Sequence, residues 1–168
     1  EAIVAYSKAL TLRPDNYEAY NNLGNALMDK NKLEEAIDAF TKALTLKSDY
    51  FQAHVNLGNA LRDNGKEEEA LEAYHRSISI EPDYADAYFN IGLSLQRLEK
   101  FEESIDAYEK TLSLNPDHFL AYNNLGNVLR NYGKKECSIK AYEKAITQKP
   151  DYTEAISNLG VILKECDR

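Results

Sequence analysis

Tryptophan is absent from the 168 residues, methionine occurs once, cysteine twice, proline four times and glycine seven times. Cys137 and Cys166 lie 29 residues apart, with no Cys-x-x-Cys spacing and no neighbouring histidine, so they supply neither a disulfide framework nor a metal set. They read as free thiols of a reducing, cytoplasmic compartment, the nucleus included. Positive charge is also in short supply: 20 Lys and Arg against 28 Asp and Glu leave a net charge of −8. A field of that sign repels nucleic acid and anionic membrane. No apolar run approaches the roughly 18–20 residues of a spanning helix, and the first residues lack a secretory core. The reading is a soluble chain with no nucleic-acid partner and no membrane insertion.

Hydrophobic residues nonetheless make up 43 % and aromatics 10 %. That is enough to fold, and intrinsic disorder is excluded despite a mean hydropathy of −0.57. The scarce residues are regularly placed. Gly24, Gly58, Gly92, Gly126 and Gly160 follow one another at 34 residues, and Gly65 and Gly133 are 68 apart. Pro14, Pro82, Pro116 and Pro150 keep the same phase, with Ser48 in the vacant slot. A fixed period of this size predicts one supersecondary unit repeated along a single array. The phase gives full repeats at 17–50, 51–84, 85–118 and 119–152. A second-helix half-repeat at 1–16 precedes them and a first-helix half-repeat at 153–168 follows. Both ends are cut within a repeat, so the expectation is a piece of a longer array.

Each repeat carries two amphipathic patterns. Ala19, Tyr20, Leu23, Gly24, Ala26 and Leu27 follow helical spacing, and Leu33, Ala36, Ile37, Phe40, Ala43 and Leu44 do so again. Asn31, Gly65, Glu99 and Gly133 share the break between the two, a left-handed turn position at which glutamate is the odd member. At the repeat boundary Pro stops one helix and Asp, as in Pro82-Asp83-Tyr84, is expected to cap the next. The Gly24 column falls inside a helix, where glycine costs about 0.8–1 kcal/mol relative to alanine. Close approach of the small column Ala36, Ala70, Ser104 and Ser138 is expected to offset it. The aromatic column Tyr6, Phe40, Tyr74, Tyr108 and Tyr142, with the column Tyr20, His54, Tyr88, Tyr122 and Ile156, is expected to fill the space between adjacent repeats.

These columns, with Asn-Leu-Gly at 22–24, 56–58, 124–126 and 158–160, resemble the tetratricopeptide repeat family over the whole chain. The departures are tyrosine for tryptophan at Tyr20, Ser48 for proline, and serine for alanine at Ser104 and Ser138. The resemblance implies an all-α, right-handed superhelical solenoid of antiparallel helix pairs. The first helix of each pair then lines a concave groove, and the protein binds others without being a catalyst.

Reading the first helices in one phase puts a uniform column in that groove: Asn22, Asn56, Asn90, Asn124 and Asn158. A carboxamide both donates and accepts, so such a ladder can hold the backbone of an extended chain whatever its sequence. It can equally bond a neighbouring helix. The column resembles the asparagine ladder in the tetratricopeptide arm of O-linked N-acetylglucosamine transferase. Asn25, Asn59 and Asn127 share the face, with Met28 and Asp29 beside them. Val55, Phe89 and Leu93 break its polarity, as an apolar anchor for a ligand or as contacts between first helices. Arg62, Arg97, Arg130 and Lys164 near one end of these helices suit acidic groups on the ligand. The column that holds Asn21, Val55, Phe89, Asn123 and Ser157 contains no lysine, which argues against a clamp for chaperone C-terminal carboxylates.

No catalytic or cofactor constellation appears. His54, His75 and His118 are scattered, every glycine belongs to the repeat frame, and Glu67-Glu68-Glu69 and Glu102-Glu103 sit where a helix dipole favours negative charge. The four repeats carry net charges of −2, −4, −4 and +3, the last from Lys134, Lys135, Lys140 and Lys144 around the second helix. The sequence predicts a noncatalytic interaction scaffold for an extended peptide or protein segment. The alternatives are the substrate-recruiting arm of a larger glycosyltransferase, or a module that self-associates end to end.

Overall fold

The computed structural model describes residues 1–166, all in helices and short turns. Residues 167–168 of the expected half-repeat 153–168 lie outside the described residues. The chain divides into two compact units, 1–82 and 83–168. The N-terminal unit holds α1 (Ala2–Leu12), α2 (Tyr17–Met28), α3 (Leu33–Leu46), α4 (Phe51–Asp63) and α5 (Glu67–Ile80). The C-terminal unit holds α6 (Ala85–Arg97), α7 (Phe101–Leu114), α8 (Phe119–Asn131), α9 (Lys135–Gln148) and α10 (Thr153–Cys166).

Within the N-terminal unit α2 pairs with α3 and α4 with α5, while α1 packs on α2 and α3 on α4. The C-terminal unit repeats the scheme, with α6 on α7, α8 on α9, α7 on α8 and α9 on α10. This is an all-α solenoid arrangement of helix pairs. The turn between the helices of a pair is left-handed at all four predicted positions: φ is +56° at Asn31, +79° at Gly65, +57° at Glu99 and +84° at Gly133.

The helix caps differ from the expectation. The N-cap positions belong to Asn16, Tyr50, Tyr84 and His118, one residue after each aspartate, so Asp49, Asp83 and Asp117 fall short of the free N–H groups. Asn16 accepts from the Ala19 amide at 3.0 Å, and His118 Nδ1 accepts from that of Ala121 at 3.1 Å. Aromatic clasps stand at the same boundaries. Tyr17 meets Tyr50 edge-on at 5.3 Å with Lys47 Nζ 4.7 Å from the Tyr17 ring, and Phe119 meets Tyr152 at 5.1 Å with Lys149 Nζ 4.8 Å from Phe119.

The intrahelical glycines accommodate rings rather than the small column alone. A Cβ on Gly24 would lie 2.5 Å from Cε1 of Phe40, and one on Gly92 would lie 2.6 Å from Cε1 of Tyr108. Gly58 and Gly126 meet Tyr74 and Tyr142 in the same way. The aromatic column therefore packs onto the glycine of its own repeat, and it also faces the repeat that follows: Phe40 shares a core cluster with Ala60, and Tyr108 with Ala121, Leu125 and Val128. All four rings are fully buried. The small column does reach the same place: the Ser104 hydroxyl donates to the Gly92 carbonyl at 2.8 Å and Ser138 to that of Gly126 at 2.7 Å.

Gly160 is the exception, with nothing within 4 Å of where its Cβ would be. One substitution should therefore have opposite signs along one column. Gly92→Ala is expected to destabilise by about 1–3 kcal/mol through overpacking. Gly160→Ala is expected to stabilise α10 by up to about 1 kcal/mol through helix propensity. Urea denaturation of the two variants checks both signs.

Candidate functional site

In the N-terminal unit the first helices α2 and α4 lie side by side. The exposed carboxamides of Asn22 and Asn25 project from α2, and the half-buried ones of Asn56 and Asn59 from α4. Asn56 Nδ2 donates to Oδ1 of Asn21 at 2.9 Å, and Asn21 is only 5 % exposed. The Tyr74 hydroxyl donates to Asn59 Oδ1 at 2.8 Å. Between the two helices is an open cavity of about 260 Å³ lined by Asn25, Met28, Asp29, Phe40, Asn56 and Asn59. One predicted ladder amide, Asn56, and two others predicted on the same face, Asn25 and Asn59, thus converge on one space, with a thioether, a carboxylate and a ring around them.

The corresponding amides of the C-terminal unit are knitted together. Asn158 Nδ2 donates to Oδ1 of Asn123 at 3.0 Å and to Oδ1 of Asn127 at 3.2 Å. Asn127 Oδ1 also accepts from the Tyr142 hydroxyl at 2.8 Å, and Asn123 Nδ2 donates to Glu154 at 2.9 Å. Asn90 turns back to the Asp86 carbonyl of its own helix at 2.9 Å. The rule behind these choices is local. Where the preceding repeat of the same unit offers asparagine (Asn21, Asn123), the ladder residue of the next repeat bonds to it. Asn124 is half-buried.

Of the three residues offered as an apolar anchor or as contacts between first helices, one is buried and two are half-buried. Val55 is 5 % exposed and belongs to the core, which corrects its placement on a contact surface. Phe89 and Leu93 are half-buried against the cluster of Ile105, Tyr108, Leu125, Val128 and Leu129. The Phe89 ring lies 4.6 Å from that of His118 and 5.9 Å from that of Tyr108. Apolar residues on this face fill the gap between neighbouring helices because the alternative leaves them in water.

The cations are partly engaged as well. Arg62 Nε lies 3.4 Å from the Asp63 carboxylate. The Arg130 guanidinium is bound to Glu165 in a two-pronged pair, its Nε donating at 3.1 Å, and this pairing raises its pKa. Arg97 is exposed. Met28 and Asp29, read beside Asn25 on this face, line the cavity; the wall that sequence reasoning missed is Phe40. The available signal was Phe40 standing in a column otherwise made of tyrosines.

Among the described residues no group of three His, Cys, Asp or Glu is placed to hold a metal, and no helix is long and apolar enough to cross a membrane. Both cysteines are exposed and free.

Burial, reinforced by a 2.9 Å hydrogen bond to Glu154, pushes the Tyr152 hydroxyl from an ordinary pKa of 10.0 up to about 12. The folded chain holds this proton more tightly than the unfolded one. The associated stability is complete below pH 10.0 and is lost as the pH rises through about 12. Over that window the urea midpoint of the wild type should fall more steeply than that of Tyr152→Phe.

Comparison with known proteins follows the geometry. A family model described as TPR repeat matches residues 1–30, 24–65 and 58–99. Models described as tetratricopeptide repeat match 85–118 and 107–136. No curated protein matches the chain significantly. Among solved structures, that of MamA is 30 % identical with a TM-score of 0.83, covering 90 % of this chain and 89 % of that one. YrrB, described as a TPR protein with an unusual peptide-binding site, is 26 % identical with a TM-score of 0.78, covering 92 % and 80 %. PilF of Pseudomonas aeruginosa shares the fold at 20 % identity and a TM-score of 0.82, covering 89 % and 68 %.

Proposed function

This chain belongs to the tetratricopeptide repeat family, and from that premise we propose that it is a noncatalytic scaffold binding an extended peptide or protein segment along its first helices. The observation that carries the reading is the convergence of Asn25, Asn56 and Asn59 on the cavity beside α2 and α4. Side-chain amides at regular spacing satisfy the N–H and C=O groups of an extended backbone and leave its sequence largely free. The peptide-binding site reported for YrrB supports the same use of the fold.

An array of short peptides, followed by fluorescence anisotropy on the hits, tests it. Asn22→Ala combined with Asn25→Ala removes two exposed carboxamides that the fold does not use. At about 0.5–1.5 kcal/mol per hydrogen bond, the expected loss of affinity is on the order of tenfold. A Lys42→Ala control on α3 should bind as the wild type does. Unchanged binding in the double variant would overturn the reading.

A second reading, end-to-end self-association, is favoured by Gly160. Helix α1 repeats α3 closely, Ala2, Ile3, Ala5, Tyr6, Lys8 and Ala9 corresponding to Ala36, Ile37, Ala39, Phe40, Lys42 and Ala43. Tyr6 thus belongs to the column whose rings cover the other glycines, and Gly160 is the glycine of that column left uncovered. The exposed Ile156, Val161 and Leu163 share α10 with it. Seating α1 of a second copy on α10 would complete a repeat between molecules. Sedimentation velocity should show mass rising with concentration, and Gly160→Ala should suppress it; a wild type that stays monomeric refutes the association.

A further inference from the structure

The cavity beside α2 has on its wall the one ring of its column that lacks a hydroxyl, Phe40. In the repeats that carry Tyr74 and Tyr142, the ring seated on the helix glycine extends its hydroxyl to the asparagine one residue beyond it, Asn59 or Asn127, at 2.8 Å in both cases. Where that amide position is leucine (Leu93), the Tyr108 hydroxyl reaches the Gln96 carbonyl oxygen at 3.0 Å. In the first full repeat the ring is Phe40, and it has no hydroxyl to donate. Asn25, the counterpart of Asn59 and Asn127, is exposed and makes no side-chain hydrogen bond among the described residues. Beside this unengaged amide is the cavity of about 260 Å³.

The atoms around it have a definite chemistry. Asn56 uses its amide nitrogen on Asn21, which leaves its Oδ1 as an acceptor. Asn25 contributes a second amide oxygen, and Asp29 adds a carboxylate, the one full charge on the lining. Met28 and the Phe40 ring supply apolar wall. No cation lines the cavity, and the N-terminal unit as a whole carries five more acidic than basic residues. An acceptor-rich, negatively charged site with apolar walls suits a side chain with an aliphatic stem and a charged donor at its tip.

We propose that this cavity is a lysine-binding subsite, in which the ε-ammonium of a lysine in the bound segment donates to Asp29, Asn25 Oδ1 and Asn56 Oδ1 while its methylenes lie against Met28. The proposal rests on the groove reading above and assigns a side-chain preference to one place in it. An ammonium group has three donors, and this wall offers three acceptors. Phe40 is the specificity-determining residue: a tyrosine there would occupy Asn25, as Tyr74 occupies Asn59.

Nuclear magnetic resonance titration of the protein, with side-chain amide signals assigned, provides the test. The probes are N-acetyl-lysinamide, its ε-acetylated form and N-acetyl-norleucinamide. The lysine probe should shift the amide signals of Asn25 and Asn56, and the two neutral probes should bind on the order of tenfold more weakly, as loss of a charge-assisted contact implies. Phe40→Tyr keeps the ring that the rest of the column uses and should abolish the lysine-dependent shift; Asp29→Asn should weaken it on the order of tenfold. Equal shifts from norleucinamide and lysinamide, or no effect of Phe40→Tyr, overturn the proposal. The peptides selected on the array separate the two readings. Hits that lose affinity in the Asn22/Asn25 double variant but show no lysine dependence sustain the groove and reject the subsite. Lysine-specific shifts with no peptide binding at all sustain the subsite and reject the groove.

Discussion

The contact on which the rest of the structure depends is a ring lying on a glycine. In each complete helix pair an aromatic side chain of the second helix sits where a Cβ of the first would be, so that the ring is fully buried and the helices approach closely. Glycine in mid-helix opposes folding on its own, by about 0.8–1 kcal/mol. Burial of a whole aromatic side chain outweighs that by a clear margin, since each ring removes on the order of 150–250 Å² from water. The left-handed turns, the boundary clasps and the serine hydroxyls on glycine carbonyls are arranged around this contact.

The same contact sets what the first-helix face can do. A ring that reaches across its glycine arrives beneath the ladder amides, and its para position decides whether those amides are engaged. Tyr74 and Tyr142 hold Asn59 and Asn127; Phe40 leaves Asn25 to solvent. The face therefore differs between repeats that look alike at the level of periodicity. In the C-terminal unit the amides bond one another and Glu154, so the ladder there contributes chiefly to joining helices. In the N-terminal unit part of it stays open. Repeats that are uniform in pattern thus differ at the site through single groups: the hydroxyl on the ring, and the neighbours Asn123 and Glu154.

The helix pairs were legible because they follow from period and amphipathicity, which depend only on the order of residues. The turn at Glu99 was legible for the same reason: its column is otherwise glycine and asparagine, and the backbone adopts φ of +57° there. The partner of the glycines was read only in part. Small and aromatic columns both face the glycine, and their order of approach depends on interhelical distance. How far the apolar residues of this face are covered depends on the same distances. Val55, Phe89 and Leu93 occupy surface positions in a helix taken alone, yet neighbouring helices cover them wholly or partly.

By itself the sequence determined the repeat, the two helices within it, the position of every helix-pair turn and the column of asparagines, since each is a statement about spacing along the chain. Only the tertiary structure decided which asparagines are engaged and which remain free. That choice rests on distances between side chains about 15 or 35 residues apart, and no periodicity encodes a distance. A hydroxyl present on Tyr74 and lacking on Phe40 is visible in the sequence, but its meaning appears only once the ring is seen to end beside Asn59 in one repeat and on the wall of a cavity beside Asn25 in the other.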